Sequence, residues 1–332
     1  MSSRASDPST PWTWTRRSLL RHLGGGLALA GFTPLAACGD GLVDDGTTGD
    51  GTTGGGTTGS GTTGDETTDD GATGADTTGD ATTGDGTTGD ESCEAAGAWA
   101  SGGTAAMTEK RCYPDPFAAA TSCLVLCETT EGPCTADTIE RQDVSEGFSG
   151  LPIRLALKIV AVDSCAPVAG AVVEIWHTQR TGVYSGVTPS GAFCYGDDPE
   201  AESHLYFRGT QTSDADGRVD FDTCFPGWYG GRAIHIHFRI YLGGERYLTS
   251  QLFFDEALTA EIFNAHPEYA EFGQPDTINS NDNIIGGVED ITPYLLETAR
   301  MADGAMLASK IIAIPASAAA EWCSAGMAGP PP

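Results

Sequence analysis

Apolar and polar side chains alternate along residues 234–240. Ile234, Ile236 and Phe238 leave one side of an extended chain, and His235, His237 and Arg239 leave the other. That period of two marks a half-buried strand. Residues 153–162 read as an earlier strand, residues 163–170 as a turn region containing Pro167, and residues 171–177 as the next strand. A turn over residues 212–217 leads into a strand over residues 218–224. The strand of His235 then pairs with residues 246–254 as a hairpin about Gly243 and Gly244. Residues 186–204, rich in Gly, Pro, Ser and Asp, read as a long loop. Helical spacing shows in residues 255–266, where Leu258, Ile262 and Phe263 share a face, and a second helix is expected over residues 295–307. Short strands separated by Gly/Pro turns predict an all-β fold, an antiparallel β-sandwich with one or two short helices. Residues 93–150 lack a period and carry Gly, Pro and Cys throughout. They read as an irregular, disulfide-stapled segment lying over the core.

Composition takes the first quarter of the chain out of that fold. From residue 41 to residue 90 the sequence repeats variants of Gly-Thr-Thr-Gly-Asp. So little apolar surface cannot offset the entropy of ordering, and the stretch is expected to be a disordered tether. Much of the formal net charge of −29 comes from it, so the acidity describes the tether more than the folded domain. No basic patch points to nucleic acid. Residues 1–37 read as an export signal: Thr15-Arg16-Arg17-Ser18-Leu19-Leu20 is a twin-arginine pattern, followed by a run too short and glycine-rich to span a bilayer. Leu35-Ala36-Ala37-Cys38 is similar to a bacterial lipobox, in which Cys38 becomes a lipidated N-terminus; ordinary cleavage after Ala-x-Ala is the alternative. Gly39 rather than Asp follows, which directs the expected anchor to the outer membrane or cell surface. Three regions result: a signal over residues 1–37, a linker over 38–92 and a folded domain over 93–332.

Of ten cysteines, nine remain after Cys38. Export favours their oxidation, and an odd number leaves at least one free or paired in trans. Cys123 and Cys127 have metal-finger spacing without a matching second pair, so disulfides are expected there rather than zinc.

The strand of His235 carries the candidate chemistry. Side chains two apart leave one face with Cα atoms about 6.6 Å apart. Two imidazoles so placed can converge on a metal ion at about 2.0–2.1 Å each. Pro226, Gly227, Gly230 and Gly231 set Tyr229 in a turn just before this strand, and Gly182 sets Tyr184 in a turn after the strand ending at Trp176. A phenol with a reference pKa of about 10 binds metal as a hard anion only beside a strongly charged ion. Iron(III) meets that requirement, since two phenolates and one hydroxide neutralise it in a partly buried site. Each motif alone has a plainer alternative: a solvated histidine face, or a tyrosine that only packs.

The set as a whole resembles the intradiol ring-cleavage dioxygenases, the non-haem iron(III) family of catechol and protocatechuate dioxygenases. The resemblance rests on Thr130-Glu131-Gly132-Pro133, Trp176-His177, Gly182-x-Tyr184-Ser185, Phe207-Arg208-Gly209-x-Gln211, Asp214-x-Asp216-Gly217, Pro226-Gly227-Trp228-Tyr229, Gly231-Arg232 and His235-x-His237. It says nothing about the first 90 residues. It implies a β-sandwich in which Tyr184, Tyr229, His235 and His237 hold Fe(III), with Tyr229 leaving the metal when substrate binds. It implies that Arg232 and Gln251 stabilise charge on a catecholic substrate, which dioxygen cleaves to a muconate-type diacid. Two positions depart from the family pattern. Cys134 stands where relatives carry an aromatic residue after the Thr-Glu-Gly-Pro motif, and Gln179 stands where they carry Asp or Asn. His177 is expected to make a structural hydrogen bond, and His204 and His266 to be solvated. Two other readings are a surface β-sandwich that binds iron or catecholates without turnover, and an inert domain in which these side chains simply pack.

Overall fold

The computed structural model describes residues 93–119, 123–196 and 198–325. The twin-arginine pattern, Cys38 and the acidic tether lie outside them. Eight strands form two four-stranded sheets. One runs in the order β4 (Arg218–Cys224), β1 (Pro152–Ala161), β8 (Met306–Ile314) and β7 (Glu297–Arg300). The other runs β3 (Arg208–Thr212), β2 (Val172–Trp176), β5 (His235–Leu242) and β6 (Glu245–Phe253). The expected β-sandwich is thus present, with one departure from an antiparallel pattern: β1 pairs in parallel with β8.

Alternation explains which face of each strand is inside. Ile153, Leu155, Leu157 and Ile159 of β1 join Val173 and Ile175 of β2 and Ile236, Phe238 and Ile240 of β5 in one buried cluster. Removing each such side chain from water contributes about 1.5–3 kcal/mol. The β5–β6 hairpin turns on Gly243 and Gly244 at φ 61° and 87°. Two consecutive residues in that region suit a two-residue turn whose twist matches the strands, and only glycine enters it without strain.

The opposite face of the first sheet is covered as well. Ala156 of β1 and Leu307 of β8 pack with Phe117 and Met301, so the irregular segment after residue 93 lies over the core as its composition suggested. Disulfides join Cys93 to Cys112, Cys123 to Cys165, Cys127 to Cys323 and Cys134 to Cys194. Cys224 is the odd thiol, buried and free. The Cys127–Cys323 bond is reinforced by main-chain bonds from Glu128 to Cys323 and from Ala325 to Glu128.

A helix spans Glu256–Ala265, and the Asp255 side chain caps it by accepting from the Ala257 and Leu258 amides. The second expected helix, over residues 295–307, is absent: that stretch holds β7, a turn through Gly304 at φ 79° and the start of β8. Its apolar spacing fits either form, and strand pairing decides the matter: Glu297–Arg300 pairs with β8, and β8 pairs with β1 from Met306 onward, helped by the β-branched Ile311, Ile312 and Ile314. His266 is another correction. It is buried, because the segment near Ala100 crosses the helix end and the Ala100 carbonyl accepts from His266 Nε2 at 2.8 Å.

His177 bridges the sheets. Its Nδ1–H donates to the Thr178 carbonyl at 2.8 Å, and its Nε2 accepts from the Thr223 hydroxyl of β4 at 2.7 Å. Burial lowers its pKa to about 4. The unfolded chain therefore takes up the proton first, near pH 6.5, so the stability present above that pH is lost as pH falls toward 4. In the metal-free protein, His177→Gln is expected to shrink the stability difference between pH 7 and pH 4.5 by about 2–3 kcal/mol, measured by urea titration at each pH; an unchanged difference contradicts the assignment.

Candidate metal centre

The register of the second sheet sets four side chains in one rank. Arg208 of β3 lies opposite Trp176 of β2, Trp176 opposite His237 of β5, and His237 opposite Gln251 of β6. His235 and Arg239 share that face of β5, two residues to either side of His237. All four members of the rank are buried. Arg239 pairs with Glu174 through two bonds of 2.9 and 3.0 Å and lies 4.8 Å over the Trp176 ring. Trp176 in turn stacks on His237, with ring centres 4.8 Å apart and planes 6° from parallel.

Two turns bring the tyrosines to the same place. The turn before Tyr184 closes through Gly182, whose amide donates to the Gln179 carbonyl at 2.8 Å. Gly182 has φ +81°, and a Cβ there would stand 2.1 Å from the Trp228 carbonyl oxygen. Glycine at 182 therefore lets this turn lie directly on the turn that carries Tyr229. Gln179, the departure from the family pattern, donates to the Tyr206 hydroxyl at 3.0 Å and leaves the turn closed.

The four polar atoms converge. Tyr184 Oη is 3.3 Å from Tyr229 Oη and 3.2 Å from His235 Nε2. His235 Nε2 is 3.4 Å from Tyr229 Oη and 3.1 Å from His237 Nε2. Donors about 2.0–2.1 Å from one ion, at angles near 90–110°, stand about 2.9–3.4 Å apart. The set therefore fits a single metal ion, and its two phenol oxygens fit a hard one. Among the described residues no cluster of three or more His, Cys, Asp or Glu side chains forms a metal site of its own; here phenols supply half of the donors.

A hydrogen bond fixes His235 in a metal-binding form. His235 Nδ1 donates to the Ala233 carbonyl at 2.7 Å, which leaves the lone pair on Nε2. Burial, then the Arg232 charge, lowers the His235 pKa to about 3. Burial and the neighbouring His235 push His237 well below its ordinary value, so both rings are neutral. His237 Nδ1 has no hydrogen-bond partner among the described residues. Stacking on Trp176 orients that ring instead.

Arg232 and Gln251 stand beside the donors and bond to each other through Arg232 Nη2 and Gln251 Oε1. Gln251 also donates to the Thr130 carbonyl at 2.7 Å, tying the Thr-Glu-Gly-Pro segment to the sheet. Two residues to which no role was assigned from sequence complete the surroundings. Asp282 pairs with Arg232 Nε at 2.9 Å and accepts from the Ala233 amide at 2.8 Å. Burial acts to raise its pKa, but Arg232 and the Ala233 amide hold the carboxyl below its usual range. The same carboxylate, with Tyr229, keeps the Arg232 pKa raised although burial lowers it. Arg208 is the second: it donates to the Ser185 carbonyl, the Ser185 hydroxyl and the Cys134 carbonyl at 2.6–3.1 Å. Arg208 was visible as a motif residue without a role; Asp282, in a loop 50 positions after Arg232, had no pattern to reveal it.

A β-sandwich that turns two phenols and two imidazoles toward one buried point defines a candidate non-haem metal centre, and relatives narrow the class. Residues 129–271 match the family model for a dioxygenase domain, Dioxygenase_C. The chain is 29% identical over 147 residues to catechol 1,2-dioxygenase 1 of Acinetobacter lwoffii, covering 37% of this chain and 44% of that protein. It is 28% identical over 114 residues to a chlorocatechol 1,2-dioxygenase of Pseudomonas sp. strain P51, covering 29% of this chain and 41% of that one. The chain thus spans less than half the length of these curated relatives. A solved intradiol ring-cleavage dioxygenase from Tetranychus urticae superposes with a TM-score of 0.50 at 28% identity, covering 58% of this chain and 95% of that one. In sequence over residues 129–271 and in fold, the chain is similar to the intradiol ring-cleavage dioxygenases.

The Arg232–Asp282 pair is directly testable. Asp282→Asn leaves the Arg232 charge buried without its counter-ion and is expected to cost the apoprotein about 3 kcal/mol in urea unfolding. Adding Arg232→Met should recover part of that loss; a double variant less stable than Asp282→Asn alone would contradict the pairing.

Proposed function

We propose that this domain cleaves a catecholic aromatic between its two hydroxyl-bearing carbons, using dioxygen at a non-haem iron(III) centre and giving a muconate-type diacid. The observation that carries the proposal is the convergence of Tyr184, Tyr229, His235 and His237 at mutual donor distances of 3.1–3.4 Å. Iron(III) held by these four residues would bind the diol and draw electron density from its ring, so that the ring reacts with dioxygen.

The chain's own residues supply the remainder. The Tyr229 oxygen lies on a turn rather than a strand, where it can move aside and hold a proton released by the first catechol hydroxyl. The Arg232 guanidinium, kept charged beside Asp282 and aligned by Gln251, stabilises negative charge on the ring as oxygen attacks. Burial of the surrounding side chains keeps water from competing for these charges. An iron- or catecholate-binding module without turnover would share the four donors, and oxygen uptake separates it from an enzyme.

Iron-loaded protein is expected to be burgundy, with a tyrosinate-to-iron(III) band in the visible, and to consume oxygen when catechol is added. Arg232→Ala should keep the band and lose oxygen uptake by about 100-fold. A protein that stays colourless after iron loading refutes the metal reading, and a coloured one that consumes no oxygen favours the binding module.

We also infer that the domain is exported by the twin-arginine route and anchored at the bacterial envelope through a lipid on Cys38. Four disulfides support an oxidising compartment. Cys38→Ala should move the protein from the membrane fraction to the soluble envelope fraction; unchanged fractionation argues against the anchor.

A further inference from the structure

One of the four disulfides differs from the others in what it touches. Cys134 directly follows the Thr-Glu-Gly-Pro segment, and Cys194 ends a single helical turn, Gly191–Cys194, in the loop after Tyr184. The bond between them joins positions 60 residues apart. Both cysteines are buried, and they form one apolar cluster with Trp176, Tyr184 and Tyr229. None of the other six bonded cysteines belongs to that cluster.

The main chain of both cysteines is tied to the same tyrosine. The Tyr184 amide donates to the Cys194 carbonyl at 2.9 Å. The Cys134 carbonyl accepts from Arg208 Nη2 at 2.7 Å, and the same guanidinium nitrogen holds the carbonyl of Ser185, next to Tyr184, at 2.6 Å. Phe193, beside Cys194, meets the Tyr229 ring edge to face with centres 6.1 Å apart. Thr130, four residues before Cys134, is held by Gln251. The bond therefore closes a ring of contacts that runs from β6 through the Thr-Glu-Gly-Pro segment to both phenols.

We propose that the Cys134–Cys194 disulfide is a positioning element of the metal centre: it forms the wall against which Tyr184 and Tyr229 are set, in the place where relatives carry an aromatic side chain. This rests on reading the site as a ferric centre. Unlike an aromatic ring, the disulfide is covalently bonded to both segments, so it ties the loop to the wall as well as filling space. Its loss frees the loop between Ser185 and Cys194 on one side and the segment before Cys134 on the other. The phenol donors then lose definition while the sandwich core, held by its own cluster, persists.

The test compares Cys134→Ala/Cys194→Ala with Cys93→Ala/Cys112→Ala, which removes a bond remote from the tyrosines. Each apoprotein is examined by far- and near-ultraviolet circular dichroism, then loaded with iron(III), scanned in the visible and challenged with a chelator. Cys134→Ala/Cys194→Ala should keep its far-ultraviolet spectrum, change its near-ultraviolet aromatic signal, shift or broaden the visible band and lose iron about 10-fold faster. The control should match wild type in all four. Equal iron loss, band and aromatic signal in both variants and wild type overturns the proposal. Wild type that gains no band on loading instead sinks the ferric reading, and the aromatic signal of the apoproteins still decides whether the disulfide sets the tyrosines. Should Cys134→Ala/Cys194→Ala not fold, wild-type apoprotein is reduced stepwise with a phosphine, alkylated, mapped by mass spectrometry and then loaded. A band that changes in step with alkylation of Cys134 and Cys194 supports the proposal, and one that follows only the other cysteines overturns it.

Discussion

The register between β2, β5 and β6 is the constraint on which the centre depends. With Trp176 opposite His237 and His237 opposite Gln251, the imidazoles, the indole that orients one of them and the amide that aligns Arg232 share one face. A slip of a single residue turns every side chain of a strand to the other face. Here it would drive His235 and His237 into the aliphatic core and expose Ile236 and Phe238. The cost of burying two imidazoles without partners, together with the loss of the core-facing aliphatics, makes that register strongly preferred. Core packing and the candidate donor set are thus two consequences of one alternation.

Electrostatics at the centre follow from burial. Neutral imidazoles are what burial favours, and they are also what a metal requires. The two guanidiniums need a different solution. Arg232 has the Asp282 carboxylate beside it. Arg208 donates through Nε and Nη2 to carbonyl oxygens and a hydroxyl, and burial lowers its pKa to about 10. It works as a bracket for the main chain around Tyr184, whereas Arg232 presents charge to the site.

Much of this was legible before the fold was known, and the reasons are local. The alternation around His235, the glycines flanking Tyr184 and Tyr229, and the helical spacing of Leu258, Ile262 and Phe263 are short-range signals that the folded chain keeps. Signals that depend on distant partners were not legible. Residues 295–307 read as helix because their spacing is ambiguous, and pairing of β7 with β8, and of β8 with β1, makes parts of them strands. The short polar β3 carries no apolar rhythm and is specified by pairing with β2. His266 looked solvated because nothing in its neighbourhood announces that the segment near Ala100 covers it. Asp282 meets Arg232 only through tertiary structure, and cysteine connectivity is likewise a property of the folded chain.

The parallel pairing of β1 with β8 has a consequence for how the molecule is made. Ile153 lies beside Met306, and β8 sits inside its sheet rather than at an edge. Residues still further on, around Cys323, clasp the stretch that leads to Thr130. β5 can pair with β6 through a two-residue turn, but the first sheet is incomplete until β8 reaches the distant β1. Contacts between such remote positions form slowly because a long loop must close first. The sheet that packs behind the histidines therefore lacks an inner strand until β8 reaches β1.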